Sequence, residues 1–161
     1  METSAFERNL RLLLPRSAAY AVSLLRERKD AEDAVQQAAL QAWQRRAQFD
    51  GQRPFAAWWF AILRNYCIDE LRRRKRAPNP VRDDELSMSS PADESVLDRI
   101  ALARAMEKLP EVHRDVLRLR YFGDLSYQEL GQVLDIPAGT VMSRLHLARK
   151  ALATLVATEE A

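Results

Sequence analysis

The sequence predicts an all-α protein made of two small helical bundles joined by a flexible linker. The 161 residues include only four glycines. Apolar residues recur at helical spacing along nearly the whole chain, without the β-branched runs that are typical of strands. One stretch rich in proline, serine and acidic residues interrupts this pattern over 77–95. Such a composition is typical of a linker, so we expect one bundle over 1–76 and the other over 96–161.

Net charge differs between these three segments. Residues 1–76 contain 15 Lys/Arg and 9 Asp/Glu, a net charge of +6, whereas 77–95 contain 1 and 5, a net charge of −4. Residues 96–161 contain 9 of each, but within them 136–152 hold three cations and no acid. Two basic surfaces separated by an acidic stretch suit a protein that contacts a polyanion at two places.

Cysteine and histidine usage narrows the class of protein. A single cysteine, Cys67, excludes an internal disulfide and fits a reducing compartment. No apolar run approaches the ~20 residues that span a bilayer, and the N-terminus has no signal-peptide pattern, so we expect a cytoplasmic protein without membrane insertion. The two histidines, His113 and His146, lack partners at metal-ligand spacing, and the chain has no glycine-rich phosphate loop. We therefore expect neither catalysis nor a cofactor.

Proline and capping residues place the helices of the first bundle. Pro15 can open a second helix after one that bears Phe6. Asp30 can cap the next helix, and Pro54 suits the first turn of a long one. This long helix ends in the five consecutive cations of 72–76. Such a run is typical of a solvated helix end, and it could equally bind phosphates.

Aromatic residues on the long helix have two interpretations. The set is Phe55, Trp58, Trp59, Phe60 and Tyr66. At helical spacing most such residues form a core, whereas exposed members could stack on unpaired bases. Neighbouring residues diverge by about 100° around a helix, so the two tryptophans cannot be equally buried on a one-faced helix.

The second bundle ends in a pattern that predicts a helix-turn-helix. After a helix closed by Gly123 as a C-terminal cap, Ser126 and Glu129 have the spacing of a capping box. The capped helix is short, ending near Asp135, and Pro137 begins the next one after a tight turn. A short helix, a tight turn and a second helix with one polar face are typical of this motif.

The final helix has an apolar and a polar face. At 100° per residue, Val141, Leu145 and Ala148 share one side. Hydroxyls and cations on and beside the opposite side can donate to phosphates and to base edges in a major groove. These candidates are Thr140, Ser143, Arg144, His146, Arg149 and Lys150. An ordinary solvated helix face is the alternative, which the preceding capping box and turn weaken.

Three stretches, in this order, resemble the sigma factors of the extracytoplasmic-function (ECF) group in the sigma-70 family. Residues 30–43, which contain DAEDAVQQ, resemble region 2.2, and 55–73, which contain FAAWWFAILRN, resemble regions 2.3 and 2.4. Residues 109–145, which contain LSYQEL, resemble region 4. The resemblance implies an alternative sigma factor that binds core RNA polymerase and directs promoter recognition and transcription initiation.

The resemblance also implies partners and residue roles. Residues that would bind the β′ clamp helices of the polymerase core are Asp33, Gln36, Gln37 and Leu40. Residues that would bind the −10 element of promoter DNA are Asp50, Gly51, Arg64, Asn65, Arg72 and Arg73. The loop 48–53 and Asn65 would form a pocket for a flipped base, and the arginines would hold the opened strand. The polar face of the final helix would enter the major groove of the −35 element, and Trp58 would lie in the core. Sigma factors of this group are typically held inactive by an anti-sigma factor.

Two other functions remain open at this point. The chain could be a sigma-like decoy that binds a regulatory partner without promoter recognition, although a decoy has no need for the basic run at 72–76. It could also be a regulator that binds duplex DNA through 110–152 alone, which leaves the resemblance to region 2 unexplained.

Overall fold

The fold is all-α, as predicted. The computed structural model describes residues 1–77 and 94–160, which form seven α-helices and one short 3-10 helix and contain no strand. The helices are α1 (Thr3–Leu25), α2 (Arg28–Gln44), α3 (Phe55–Arg76), α4 (Glu94–Lys108), α5 (Glu111–Tyr121), α6 (Tyr127–Leu134) and α7 (Ala138–Glu160). Most of the predicted linker, 78–93, lies outside the described residues, and α4 begins at Glu94, so it includes the last two residues of that linker. None of the described helices combines the length and apolar character needed to cross a membrane.

Helices α1, α2 and α3 pack around large aromatic side chains. Trp59, Tyr20 and Phe60 are fully buried. Trp59 Nε1 donates a hydrogen bond to Ser17 Oγ at 2.7 Å, and Ser17 Oγ donates to the carbonyl oxygen of Leu13, also at 2.7 Å. The buried serine therefore provides the partner that a buried indole N–H requires.

Trp59, and not Trp58, is the fully buried tryptophan of α3. The family resemblance implied that Trp58 lies in the core, but Trp58 is only partly buried. Its ring packs against Phe49 and Phe55, with ring centroids 5.3 and 5.6 Å apart. Helix geometry explains the difference, because adjacent side chains diverge by about 100° and α1 lies on the side of Trp59.

The prediction that Pro15 opens a new helix is wrong. Pro15 lies inside the continuous helix α1. Leu13 and Ser17, on either side of it, are both buried, so one face of α1 packs on its neighbours along the whole helix. This packing offsets the backbone hydrogen bond that an internal proline removes.

Asp30 is not the N-cap of α2. The helix begins at Arg28 with Glu27 as its N-cap residue, so Asp30 lies in the first turn. There its charge suits the positive end of the helix dipole. Its Oδ2 also accepts a hydrogen bond from Arg74 Nη2 at 2.8 Å, which ties the beginning of α2 to the end of α3.

The helix-turn-helix is formed by α6 and α7, and its capping box is confirmed. Ser126 Oγ accepts from the backbone N–H of Glu129 at 3.1 Å, and Glu129 Oε1 accepts from the backbone N–H of Ser126 at 2.9 Å. Asp135 then takes the left-handed conformation, with φ of 56°. A Cβ atom on Gly131 would stand 2.7 Å from the carbonyl oxygen of Ile136, so the tight turn requires glycine there.

Gly123 does not cap α5 through a positive φ, as the sequence had suggested. The left-handed residue after α5 is Asp124, with φ of 52°. Gly123 is buried, and a Cβ atom on it would stand 2.6 Å from the carbonyl oxygen of Leu119 and 3.3 Å from the ring of Phe60. The close approach of the chain to the end of α5, with Phe60 of α3 packed beside it, is therefore the reason for this glycine.

The helices before and after the predicted linker are packed on each other. Helix α6 lies on α3, and α5 contacts α1. Buried apolar residues of both sets, among them Phe60 and Leu130, belong to one continuous cluster. The sequence patterns predicted the two sets of helices but not this contact, which joins residues about fifty positions apart, such as Arg64 and Asp115.

Candidate nucleic-acid interface

The polar face of α7 is open to solvent. Val141, Leu145 and Ala148 are fully buried, which confirms the apolar face predicted from the spacing. The exposed candidates are Thr140, Ser143, His146 and Lys150. Arg144 is partly exposed, and its side chain has no hydrogen bond or ion pair to any residue within the described ranges. This face therefore offers hydroxyl, imidazole and cationic groups to a ligand.

Arg149, also exposed on α7, is engaged by a residue of α5. Its Nε donates a hydrogen bond to the hydroxyl oxygen of Tyr121 at 2.6 Å, and its guanidinium carbon lies 5.5 Å from the Tyr121 ring centroid. Arg149 also lines an open apolar groove of about 430 Å³ between α5 and α7, together with Leu117 and Leu152. A phosphate could bind the Nε–H of Arg149 only in exchange for the bond to Tyr121.

A polar groove of about 350 Å³ lies between α2 and α3. Its lining residues are Gln41, Arg45, Ile62, Arg64, Asn65, Tyr66, Ile68, Asp69 and Arg72. The structure thus brings together three residues that the resemblance assigned to the −10 element, namely Arg64, Asn65 and Arg72. Three arginines against one aspartate give the groove a positive charge, which suits a phosphate backbone. Amide and phenol groups can bond to or stack on an unpaired base.

Gln41 and Arg45 are groove residues that sequence reasoning missed. Gln41 lies in the last turn of α2, and Arg45, four residues later, is the C-cap residue of that helix, so the two lie on one side of it. Helix α2 runs antiparallel to α3, since Asp30 near its beginning contacts Arg74 near the end of α3. The spacing alone could have paired Gln41 with Arg45, but only the packing of the two helices shows that they face Asn65.

The loop 48–53 does not line this groove. Asp50 and Gly51 are exposed, and Gly51 has φ of 75°, a conformation that favours glycine. This loop ends just before Phe55, the first residue of α3. Asn65 lies ten residues further along, about 15 Å at 1.5 Å per residue. The groove that contains Asn65 does not include the loop, so a single pocket formed by both, as the resemblance implied, stays a prediction.

The cations at the end of α3 are partly engaged within the protein. Arg73 donates to both carboxylate oxygens of Glu70, at 2.6 and 3.0 Å. Arg74 is only 26% exposed and is held by Asp30. Arg72 is exposed, with its nearest carboxylate oxygen 3.9 Å away. Exposed pairs at this spacing contribute little, so Arg72 and Arg73 can exchange their partners for a phosphate, whereas Arg74 ties α3 to α2.

Arg64 is bound to a residue of the other set of helices. Its Nε lies 3.1 and 3.0 Å from the two carboxylate oxygens of Asp115, and its Nη2 lies 2.6 Å from Oδ2. The two side chains are 24% and 17% exposed. A bidentate pair of this kind combines charge with a fixed geometry. The neighbouring Asn65 remains exposed.

An exposed stripe runs along α2. It consists of the four residues for which the resemblance implied a polymerase contact, Asp33, Gln36, Gln37 and Leu40, all of which are exposed. Leu40 is 51% exposed. The opposite side of α2 carries small buried residues, including Ala34 and Ala38, so α1 and α3 approach closely. An exposed leucine among amide and carboxylate groups suits a protein partner.

Two family models match the chain, and they divide it at the predicted linker. Sigma-70 region 2 matches residues 5–77, which comprise α1, α2 and α3. Sigma-70, region 4, matches residues 99–152, which include the helix-turn-helix. The fold and the two polar surfaces thus define a protein of the sigma-70 class, whose members are regulators of transcription and not enzymes.

Sequence relatives narrow this class to one group. The chain is 39% identical over 139 residues to the ECF RNA polymerase sigma factor SigL of Mycobacterium tuberculosis, covering 83% of this chain and 78% of SigL. It is 35% identical over 139 residues to the ECF RNA polymerase sigma factor SigW of Bacillus subtilis, covering 76% and 73%. The chain therefore belongs to the family of ECF RNA polymerase sigma factors.

Solved structures show the same arrangement of helices. The sigma factor RpoE of Bartonella quintana, in complex with the anti-sigma factor NepR, is 30% identical, with a TM-score of 0.72 over 96% of this chain and 98% of RpoE. CnrH, in complex with the cytosolic domain of CnrY, is 25% identical, with a TM-score of 0.74 over 98% and 90%.

Proposed function

We propose that this chain binds core RNA polymerase and directs it to promoters that carry a −10 and a −35 element. The observation that carries this proposal is the presence of two separate polar, cationic surfaces, one in each family-matched region. The groove between α2 and α3 belongs to region 2, and the outer face of α7 belongs to region 4. The stripe on α2 provides a third surface, for the β′ clamp helices. The chain itself needs no catalysis and no cofactor, and it acts in the cytoplasm, beside polymerase and chromosome.

The outer face of α7 reads the −35 element in the major groove. The residues proposed for this contact are Thr140, Ser143, Arg144, His146 and Lys150. Arg144 is the strongest candidate for direct readout, because its partly exposed guanidinium has no partner elsewhere in the described chain and an arginine can contact a guanine with two hydrogen bonds. Arg149 contributes indirectly, because its hydrogen bond to Tyr121 ties the end of α5 to α7.

The groove between α2 and α3 holds the opened −10 strand. Arg45, Arg64 and Arg72 neutralise phosphates, while Asn65 reads a base that has left the stack. Asp50 and Gly51 form a second contact on the loop, about 15 Å further along the strand. Binding energy is gained only when the strand is unpaired, so these contacts favour opening of the duplex.

The two DNA surfaces cannot serve both elements while the helix sets are packed together. A compact chain of this length has a radius of gyration of about 15 Å, hence a diameter of about 40 Å. Elements centred 25 base pairs apart lie about 85 Å apart on duplex DNA at 3.4 Å per base pair. Regions 2 and 4 must therefore move apart on the polymerase.

An anti-sigma factor is a further proposed partner. RpoE of Bartonella quintana is bound to one in its structure, and its fold matches nearly all of this chain. By analogy, a partner that binds both regions here would keep the surfaces from polymerase and DNA.

Run-off transcription with purified core polymerase tests the proposed function. We expect initiation from a pool of promoter fragments when the chain is added, and none with core polymerase alone. A chain that binds core polymerase but never supports initiation would instead be the sigma-like decoy.

A further inference from the structure

The carboxylate of Asp115, in region 4, binds Arg64, an arginine that the proposed function assigns to DNA. Asp115 binds Arg64 with both of its oxygens, at 2.6 to 3.1 Å. This is also the bidentate geometry in which an arginine binds a phosphate. Both side chains are mostly buried, at 24% and 17% exposure, so salt screens the pair less than a surface pair. While region 4 is packed on region 2, the Nε–Nη2 edge of Arg64 is closed to a DNA strand.

The surroundings of the pair make Asp115 important for holding the two regions together. Tyr20 is fully buried near Asp115. Its own burial raises the pKa of the Tyr20 hydroxyl, and the negative charge of Asp115 raises it further. Beside Asp115 lies Arg118, whose pKa is lowered by burial and by the positive charge of Arg114. Without the carboxylate, cations of α3 and α5 would face each other across the contact. Loss of the Asp115 charge would therefore both free Arg64 and weaken the packing of region 4 on region 2.

Within the described residues, Arg16 and Arg26 also make polar contacts between the regions, and neither is a proposed DNA residue. Arg16 Nη1 donates to the backbone carbonyl oxygen of Asp124 at 2.9 Å. Arg26 forms an exposed ion pair with Glu107. These contacts allow controls, because they can be weakened while Arg64 stays paired with Asp115.

We propose that Asp115 is an internal competitor of the promoter strand for Arg64. In the packed form the carboxylate holds the guanidinium, and in the promoter-bound form a phosphate takes its place. The inference rests on the proposed function, because the distance between the promoter elements requires the regions to separate and so breaks the pair. The same separation couples DNA binding by region 2 to the departure of region 4.

Replacement of the carboxylate by its neutral isostere tests the competition. For the full-length chain, free of polymerase, we expect Asp115→Asn to bind a short mixed-sequence single-stranded DNA about threefold to tenfold more tightly than the wild type, or about 0.7–1.4 kcal/mol. One additional arginine contact should also make the slope of log K against log [NaCl] more negative by about 0.7, the value for one phosphate of a single strand. Fluorescence anisotropy over a series of salt concentrations measures both quantities.

Control variants separate this competition from a general loosening of the fold. Glu107→Gln removes the ion pair between Arg26 and Glu107, and we expect an unchanged salt slope. In an Arg64→Gln background, Asp115→Asn should give no gain in affinity for single-stranded DNA, and a full gain there would overturn the competition. An unchanged affinity and salt slope for Asp115→Asn alone would overturn it as well. If Asp115→Asn does not fold, Arg64→Lys replaces it, because lysine cannot form the bidentate pair with Asp115 yet still binds a phosphate. The salt slope of Arg64→Lys should also steepen, and a slope equal to that of the wild type would overturn the proposal.

Transcription distinguishes this inference from the proposed function. With saturating core polymerase, where the regions are held apart, Asp115→Asn should initiate as well as the wild type. A wild-type chain that never initiates would contradict the proposed function, whereas a transcribing chain with no effect of Asp115→Asn on strand binding would overturn the competition alone.

Discussion

Individual residues have roles here that residue type alone does not reveal. Arg64, Arg74, Arg144 and Arg149 are all arginines on helices of a basic protein. Arg64 pairs with Asp115 across the two regions, and Arg74 ties α3 to α2. Arg144 has no partner among the described residues, and Arg149 donates a hydrogen bond to a tyrosine. Only their surroundings distinguish them, because a guanidinium can pair with a carboxylate or a phosphate and can also stack on an aromatic ring. Burial and partners therefore decide which arginines remain for DNA.

Arg144 gives the clearest test of −35 readout. Arg144→Ala should reduce use of a promoter of this sigma factor by about 1–3 kcal/mol, the cost of a lost direct contact to a base. The promoters are first identified by sequencing the 5′ ends of transcripts after overproduction of the chain. Run-off transcription from these promoters then measures the loss. Arg99→Ala, which removes an exposed arginine of α4, is the matched control and should have little effect. Equal activity of both variants would remove Arg144 from the recognition face.

The two neighbouring tryptophans should differ in their contribution to stability. Trp59→Phe removes a hydrogen bond to Ser17 and leaves a cavity in a fully buried site, so we expect the free energy of unfolding to fall by about 1–3 kcal/mol. Trp58→Phe, at a partly exposed site, should cost less than about 1 kcal/mol. Urea unfolding followed by circular dichroism compares the variants, and equal losses would contradict the assignment of Trp59 as the core residue.

At the scale of the elements, the helix-turn-helix depends on a few residues with local causes. The capping box fixes where α6 begins, and a left-handed Asp135 ends it. Glycine at position 131 lets α7 begin close to α6. Because these causes lie within ten residues of each other, sequence reasoning located the motif correctly. It failed at Pro15 and Asp30, where packing against distant helices decides the helix boundaries.

The two glycines of the motif provide a matched pair of substitutions. Gly131→Ala should destabilise the protein by about 1–3 kcal/mol, because its Cβ would collide with the carbonyl oxygen of Ile136 and the turn would have to shift. Gly139→Ala meets no atom within 4 Å on α7 and should be neutral or stabilising by up to about 1 kcal/mol. Thermal unfolding measures both, and similar small effects would show that the turn does not need the close approach at Gly131.

At the scale of the whole molecule, the sequence predicted the surfaces better than their arrangement. The stripe on α2 and the outer face of α7 follow from helical periodicity, so their exposure could be foreseen. The pairing of Arg64 with Asp115, and the inclusion of Gln41 and Arg45 in the groove, depend on which helices pack together. Polar contacts between residues far apart in the chain leave no periodic pattern, and so the packed form was not foreseen.

The central claim is that regions 2 and 4 separate to read two promoter elements at once. Resonance energy transfer tests it most directly, with dyes on cysteines placed at the exposed positions Glu7 and Thr154. The native Cys67 should not be labelled, because it is fully buried and burial raises the pKa of its thiol to about 12. We predict a distance within the ~40 Å diameter of the compact form for the free protein, and a distance greater by tens of ångströms in the open promoter complex, where the elements lie about 85 Å apart. An unchanged short distance in a complex that initiates transcription would contradict the claim.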